Sequence, residues 1–232
     1  MARLPSLDSR LACAASFFPA CEYGADIGAD HGRLSCYLLS SGRCKRMCVA
    51  DISAESLRKA ERLLALHHLS ERADFRVGDG LQVLKEPADA AAILGMGGHT
   101  LCGILRSGQD QLYGAALILS AHTDVPLVRQ TLGEIGYRIT RERIVFDNKR
   151  FYVLMKAESG MECLTEKQLL IGPRLMEERP SLYPEYLQWR IGVLSCEQNA
   201  DARKSLTFLK EEYEHVCHSE EDRRIDRGDR PL

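Results

Sequence analysis

Gly24-Ala-Asp-Ile-Gly-Ala-Asp-His-Gly-Arg-Leu34 decides the fold. An apolar run ends at the acidic Asp26, and glycines then lead the chain into a helix-type pattern, the strand–turn–helix opening of a nucleotide-binding βαβ unit. Glycine lets a ligand approach the backbone closely, and the helix start offers free N–H groups. The glycine spacing is not the G-x-G-x-x-G pyrophosphate fingerprint. A carboxylate at Asp26 would repel a diphosphate, but it suits a ligand that carries a cationic amino acid and a sulfonium.

Outward from this segment, β-type runs alternate with helical patterns, which implies an α/β fold of the Rossmann-like class with a mainly parallel sheet. The expected strands are 23–27, 46–50, 73–77, 90–94 and 116–120. Leu57, Ala60, Leu64 and Leu66 make an apolar stripe on a helix over 54–66, and a second helix over 124–135 stops at Gly136. Two further strands, 137–143 and 151–156, flank the polar turn Asp147-Asn-Lys-Arg150, so the sheet is expected to finish in an antiparallel hairpin. Beyond Ser159-Gly160 the pattern is helical. Leu187, Ile191 and Leu194, then Leu206, Leu209, Tyr213 and Val216, predict a coiled-coil-like helical hairpin turning near Gln198 to Asp201, with one long helix as the rival arrangement. The expected organisation is a ligand-binding domain over 1–159, a helical domain over 160–217 and a flexible tail over 218–232.

Parallel sheets bind ligands at the carboxyl ends of their strands, and acidic residues stand at three such ends in register. Asp26, with Gly28 and Asp30 in the turn after it, faces the cationic end of the ligand. Asp51, beside Ile52, closes the second strand and matches a ribose diol; Asp79, followed by Gly80, is placed to accept from an adenine amino group. The fourth strand runs into Gly95-Met96-Gly97-Gly98, which clears space where the reacting group would lie. Together these select S-adenosyl-L-methionine as the cofactor.

The chain of 232 residues carries a net charge of −2, made of 20 Lys+Arg against 18 Asp+Glu in residues 1–159 and 11 against 15 in 160–232. No extended basic footprint stands out in the totals. The nine cysteines lack C-x-x-C spacing, so reduced thiols and no metal site are expected. No apolar run approaches a membrane span, which makes a cytoplasmic protein the expectation; the sequence leaves the oligomeric state open and is compatible with a monomer.

The sequence resembles the bacterial tRNA (adenine-N1)-methyltransferases that act on adenine 22, the TrmK family. The resemblance rests on Ala25 to His31, Gly78-Asp-Gly80, Gly95 to Gly98, Leu119-Ser-Ala-His-Thr-Asp124 with Leu127-Val-Arg129, Gly136-Tyr137, Asp147 with Lys149 and Tyr152, and Gly172-Pro173. It implies methyl transfer to tRNA by a Rossmann-like domain followed by a helical one. Arg33 replaces a frequent aromatic and Ala121 a common proline. Asp30, His31, His99 and His122 are candidates to stabilise or deprotonate a methylated base, and Arg3, Arg10 and Arg33 are candidate RNA contacts. Methylation of a small molecule or of another nucleic-acid site, and a non-catalytic cofactor-binding module, are the competing readings.

Overall fold

The computed structural model describes residues 5–226 apart from position 198; Arg3 and the last part of the expected tail, 227–232, lie outside the described residues. The chain runs through α1 (Ser9–Phe17), β1 (Cys21–Ile27), α2 (Arg33–Ser40), β2 (Cys44–Asp51), α3 (Ala54–Leu66), β3 (Ala73–Val77), β4 (Ala90–Met96), α4 (Gly98–Ser107), α5 (Gln109–Leu112), β5 (Ala116–Ala121), α6 (Val125–Glu134), β6 (Tyr137–Asp147) and β7 (Arg150–Ser159). Four helices follow: α7 (Glu166–Ile171), α8 (Pro173–Glu178), α9 (Tyr183–Leu194) and α10 (Ala200–Asp226).

The seven strands order as β3-β2-β1-β4-β5-β7-β6, parallel except where β7 runs antiparallel between β5 and β6. Strand order therefore reverses between β1 and β4, and the crevice at their carboxyl ends is where an open α/β sheet accepts a ligand. The central strands β4 and β5 are nearly continuous apolar runs because helices cover both faces. One face packs α1, α2 and α3 through Phe17, Leu38, Leu57 and Leu64. The other packs α4, α6 and the C-terminal helices through Leu101, Leu132, Ile171 and Tyr186.

Helix α3 forms where its apolar stripe predicts, with Ser53 capping it by accepting from the Ser56 amide at 3.2 Å. Its last residue departs from expectation: Leu66 faces solvent. The terminal strands are longer than the sequence suggested, because the turn between them shrinks to Asn148 and Lys149, whose φ angles of 45° and 61° match the two left-handed positions of a tight hairpin. At the other boundary, β7 ends at Ser159 and Thr165 opens α7 in a reciprocal cap with Gln168. The expected helical hairpin is present as α9 and α10, with Asn199 Oδ1 accepting from the Ala202 amide at the start of α10. That helix continues to Asp226, through the first part of the segment expected to be a tail. Among the described residues, no helix is long and apolar enough to cross a membrane.

Candidate active site

At the β1/β4 switch point a cleft of about 260 Å³ is lined by Arg10, Asp26, Gly28, Asp30, Gly95 and His122, with His31 and Arg33 at its margin. Asp26 belongs to β1 and is 4% exposed. Its Oδ2 accepts from the Ser35 hydroxyl of α2 at 2.7 Å. Burial raises its pKa to about 6 against the opposing help of the Ser35 hydrogen bonds, and the nearby Asp51 carboxylate adds to the rise. A cation entering this cleft would meet a carboxylate that lacks a cationic partner of its own.

Asp51 closes β2, where its Oδ2 accepts from the Asp30 amide at 3.0 Å and its Oδ1 from the Ser53 amide at 2.8 Å. Those two bonds fix the carboxylate at the strand end and leave each oxygen a second lone pair for a diol. Ile52 beside it is 74% exposed, an apolar surface of the size that covers one face of an adenine ring. Asp79 is exposed just before buried Gly80, past the end of β3. These residues fit an adenosine moiety laid across the ends of β2 and β3, and Asp26 fits the cationic end.

The four residues Gly95 to Gly98 divide their labour. Gly95 sits at a bulge in the β4–β5 register with φ of 77°, and a Cβ there would meet only Arg10 at 3.6 Å and His122 at 3.8 Å. Its bare backbone therefore belongs to the cleft. Gly98 is small for a different reason than the one the sequence suggested: a Cβ would lie 2.5 Å from the Thr123 carbonyl oxygen, so it admits the loop after β5 rather than a ligand. Met96 packs its side chain near Gly28, and Gly97 precedes the first turn of α4.

The four candidate acid–base residues are not equivalent. His122 lines the cleft; its ring lies edge-on to Tyr152 at 5.7 Å, while the Arg10 guanidinium stands 5.3 Å over the same Tyr152 ring. Partial burial, then the positive charge of Arg10, holds the His122 pKa below its ordinary 6.5, with Arg150 adding to the effect and a Gly95 backbone hydrogen bond opposing it. At neutral pH this imidazole is uncharged and able to accept a proton. Asp30 and His31 face each other at 2.5 Å, both exposed, on the turn after β1. His99 lies away from the cleft on the first turn of α4, exposed and 4.0 Å from Asp124.

Of the candidate RNA contacts, Arg10 stands at the mouth of the cleft. Arg33 is already engaged, donating to the Ser6 carbonyl at 2.7 Å and lying 3.9 Å from Asp8, so it ties the segment before α1 to the start of α2. Sequence reasoning missed Ser35, the partner of Asp26, and Arg150, the neighbour of His122. Neither carries a local signal, because their roles arise from packing between elements distant in sequence. Tyr152 was marked only through the family resemblance. Among the described residues, no group of three or more His, Cys, Asp or Glu side chains is arranged to hold a metal ion.

The strand order, the acidic strand ends and the β1/β4 cleft define a Rossmann-like class I methyltransferase. A family model described as tRNA (adenine(22)-N(1))-methyltransferase, TrmK, matches residues 24–216. The chain is 30% identical over 218 residues to the tRNA (adenine(22)-N(1))-methyltransferase of Bacillus subtilis, covering 88% of this chain and 92% of the relative. It superposes on a Streptococcus pneumoniae protein solved in complex with S-adenosyl-L-methionine, with TM-score 0.85, 25% identity, and 90% and 100% of the two chains covered. The crystal structure of Bacillus subtilis TrmK gives TM-score 0.77 at 26% identity, covering 90% and 97%. The chain belongs to the S-adenosylmethionine-dependent tRNA (adenine(22)-N(1))-methyltransferase family, TrmK.

Proposed function

We propose that this chain methylates N1 of adenine 22 in tRNA, and that the observation carrying the reading is the meeting of buried Asp26, bare Gly95 and uncharged His122 in one cleft at the switch point. When bound, S-adenosyl-L-methionine supplies a methyl group on a cationic sulfonium. Asp26 offsets that positive charge and holds the amino-acid end, while Asp51 takes the ribose hydroxyls, Asp79 the adenine amino group and Ile52 one face of the adenine ring. Gly28, Gly80, Met96 and Gly97 shape the walls around them.

Adenine N1 carries an in-plane lone pair, so the main requirement is alignment and exclusion of water rather than creation of a nucleophile. Gly95 leaves the space for that approach. Methylation makes the base cationic, and the neutral His122 imidazole accepts the proton then released from the exocyclic amino group. Asp30 and His31 stand at the rim, where they act on the base electrostatically; His99 has the weakest claim of the four because of its distance from the cleft. N1 must be unpaired to react, so the target nucleotide is turned out of its stack, with Arg10 on its phosphate side. Arg33 serves this arrangement by holding the N-terminal segment.

The reading assigns catalysis to residues 1–159 and substrate support to the helices after residue 160, in a cytoplasmic enzyme that needs no metal. Incubation with labelled cofactor and unmodified tRNA, followed by mapping of the product, tests it. Label at N1 of adenine 22 is the expected result. Label at another nucleotide, or only in small molecules, would overturn the assignment.

A further inference from the structure

On the far side of His122 from the cofactor cleft lies a second groove, of about 530 Å³, between the loop after β5, strand β7 and helix α9. His122, Val125, Phe151, Tyr186, Trp189 and Arg190 are among its lining residues. Three aromatic rings, Phe151, Tyr186 and Trp189, line it, and a fourth, Phe146, adjoins them through Phe151. Phe146 and Phe151, on either side of the hairpin turn, have centroids 4.8 Å apart; Phe151 lies 5.6 Å from Trp189, and Tyr186 lies 6.0 Å from Phe151 and 6.1 Å from Trp189.

Packing between the hairpin and α9 accounts for Tyr186, which is buried, and for the half-buried Phe151. It does not account for the outer two rings. Phe146 is 50% exposed and Trp189 is 40% exposed, so each turns much of its surface to solvent beside the groove. Cationic side chains adjoin them: Lys149 and Arg150 are exposed at the hairpin turn, and Arg190 stands 6.0 Å over the Tyr186 ring while donating to its hydroxyl at 3.2 Å. Asp124 and Glu197 also line the groove, so its basic character is concentrated at the hairpin and at Arg190. Exposed aromatic faces beside guanidinium and ammonium groups are the combination by which proteins hold unpaired nucleotides, stacking the base and neutralising its phosphate.

We propose that this groove seats an unpaired nucleobase of the tRNA that flanks the target adenine, stacked on Trp189 and Phe146 with its phosphate toward Arg150 and Lys149. His122 lines both the groove and the reaction cleft, so a nucleotide held here lies next to the one turned toward Gly95. The inference rests on the tRNA reading given above. It assigns the junction between hairpin and α9 a role in positioning substrate.

Trp189 is the chain's single tryptophan, which gives the test a direct signal. Titration of the full-length protein with unmodified tRNA is expected to quench its emission saturably. Trp189→Ala and Phe146→Ala are each expected to raise KM for tRNA about tenfold, the effect of losing one stacked base, with kcat and cofactor affinity held within about twofold. Trp189→Phe, which keeps a ring in place, should retain most of the wild-type KM and guards against a folding defect as the cause. Unchanged emission on saturation with tRNA, together with an unchanged KM in Phe146→Ala, overturns the proposal. So does concentration-dependent self-association that Trp189→Ala abolishes without altering tRNA binding, which would give the groove to a second copy. Methylation of adenine 22 without quenching sinks the groove and leaves the activity standing; quenching with methylation at another nucleotide does the reverse.

Discussion

Asp26 is held in a state that suits a cation and burdens the fold. Its folded pKa of about 6 lies above the ordinary 3.8, so the native state binds the proton more tightly than the unfolded chain does. Stability is therefore highest at low pH with respect to this group, falls as pH rises between those two values, and stays lowered above them. Asp26→Asn removes the burden and keeps an oxygen for Ser35. It is expected to raise stability by about 3 kcal/mol at pH 8, and to change it little near pH 3.5, in denaturant titrations at both values. Cofactor binding, followed calorimetrically, should weaken at least tenfold in the same variant. A variant that binds normally would remove Asp26 from the cation's surroundings. His122 gives a second prediction: kcat of the wild type should rise with pH through an apparent pKa below 6.5, and His122→Gln should lose that limb and most of its rate. The positions of Asp26, Asp51 and Asp79 were legible because a carboxylate at a strand end announces itself in the hydrophobic pattern. Their electrostatic states were not. The Asp26 shift is caused by burial beneath α2, and the His122 shift by burial and by arginines brought in from α1 and β7.

A buried ion pair sits at the joint between the sheet and the C-terminal helices. Arg129 of α6 donates to Glu142 Oε1 of β6 at 2.8 Å, and its remaining donors reach the carbonyls of Leu169, at 2.7 Å, and Ile171, at 3.2 Å, where α7 ends. Glu142 Oε2 accepts from the Arg174 amide at 2.9 Å as α8 begins. Both side chains are fully buried, so the pair satisfies helix-end groups that water cannot reach. Gly172, between the two helices, leaves room for it: a Cβ there would stand 2.7 Å from the Arg129 guanidinium. Arg129→Met is expected to cost about 3–5 kcal/mol in denaturant unfolding, since it strands a buried carboxylate and the carbonyls of Leu169, Leu170 and Ile171. Adding Glu142→Leu should recover part of the loss, and a double variant as unstable as the sum of the two singles would argue against coupling. Sequence reading found Arg129 and Gly172-Pro173 only as resemblances. Their physical connection needs β6 to stand beside α6, which the local pattern does not encode. The hairpin, by contrast, was legible as an element, and only its turn was drawn too wide.

At the scale of the whole molecule, the boundary near residue 160 separates patterns of secondary structure more clearly than it separates cores. Leu170, Ile171, Leu175, Tyr183, Tyr186, Leu187, Leu209 and Val216, all past that boundary, belong to the same buried cluster as Leu119, Leu132, Val153 and Met155 of the sheet and α6. An independent domain would close its own core. Here the helices after residue 160 complete the apolar cover on one face of the sheet, and Tyr183 adds a hydrogen bond to Glu212 at 3.2 Å that binds α9 to α10. The alternation of strand and helix makes the break in rhythm visible in sequence, but periodicity cannot say which buried faces meet. Unfolding is therefore expected as one cooperative transition in scanning calorimetry, with the calorimetric and van't Hoff enthalpies in agreement. A chain cut after Ser159 should expose the apolar surface of α6 and β7 and aggregate rather than fold. Two separated transitions in the intact protein, or a monomeric cut chain with native far-ultraviolet dichroism, would establish the helices as a separate unit and make the aromatic groove a movable contact instead of a fixed wall.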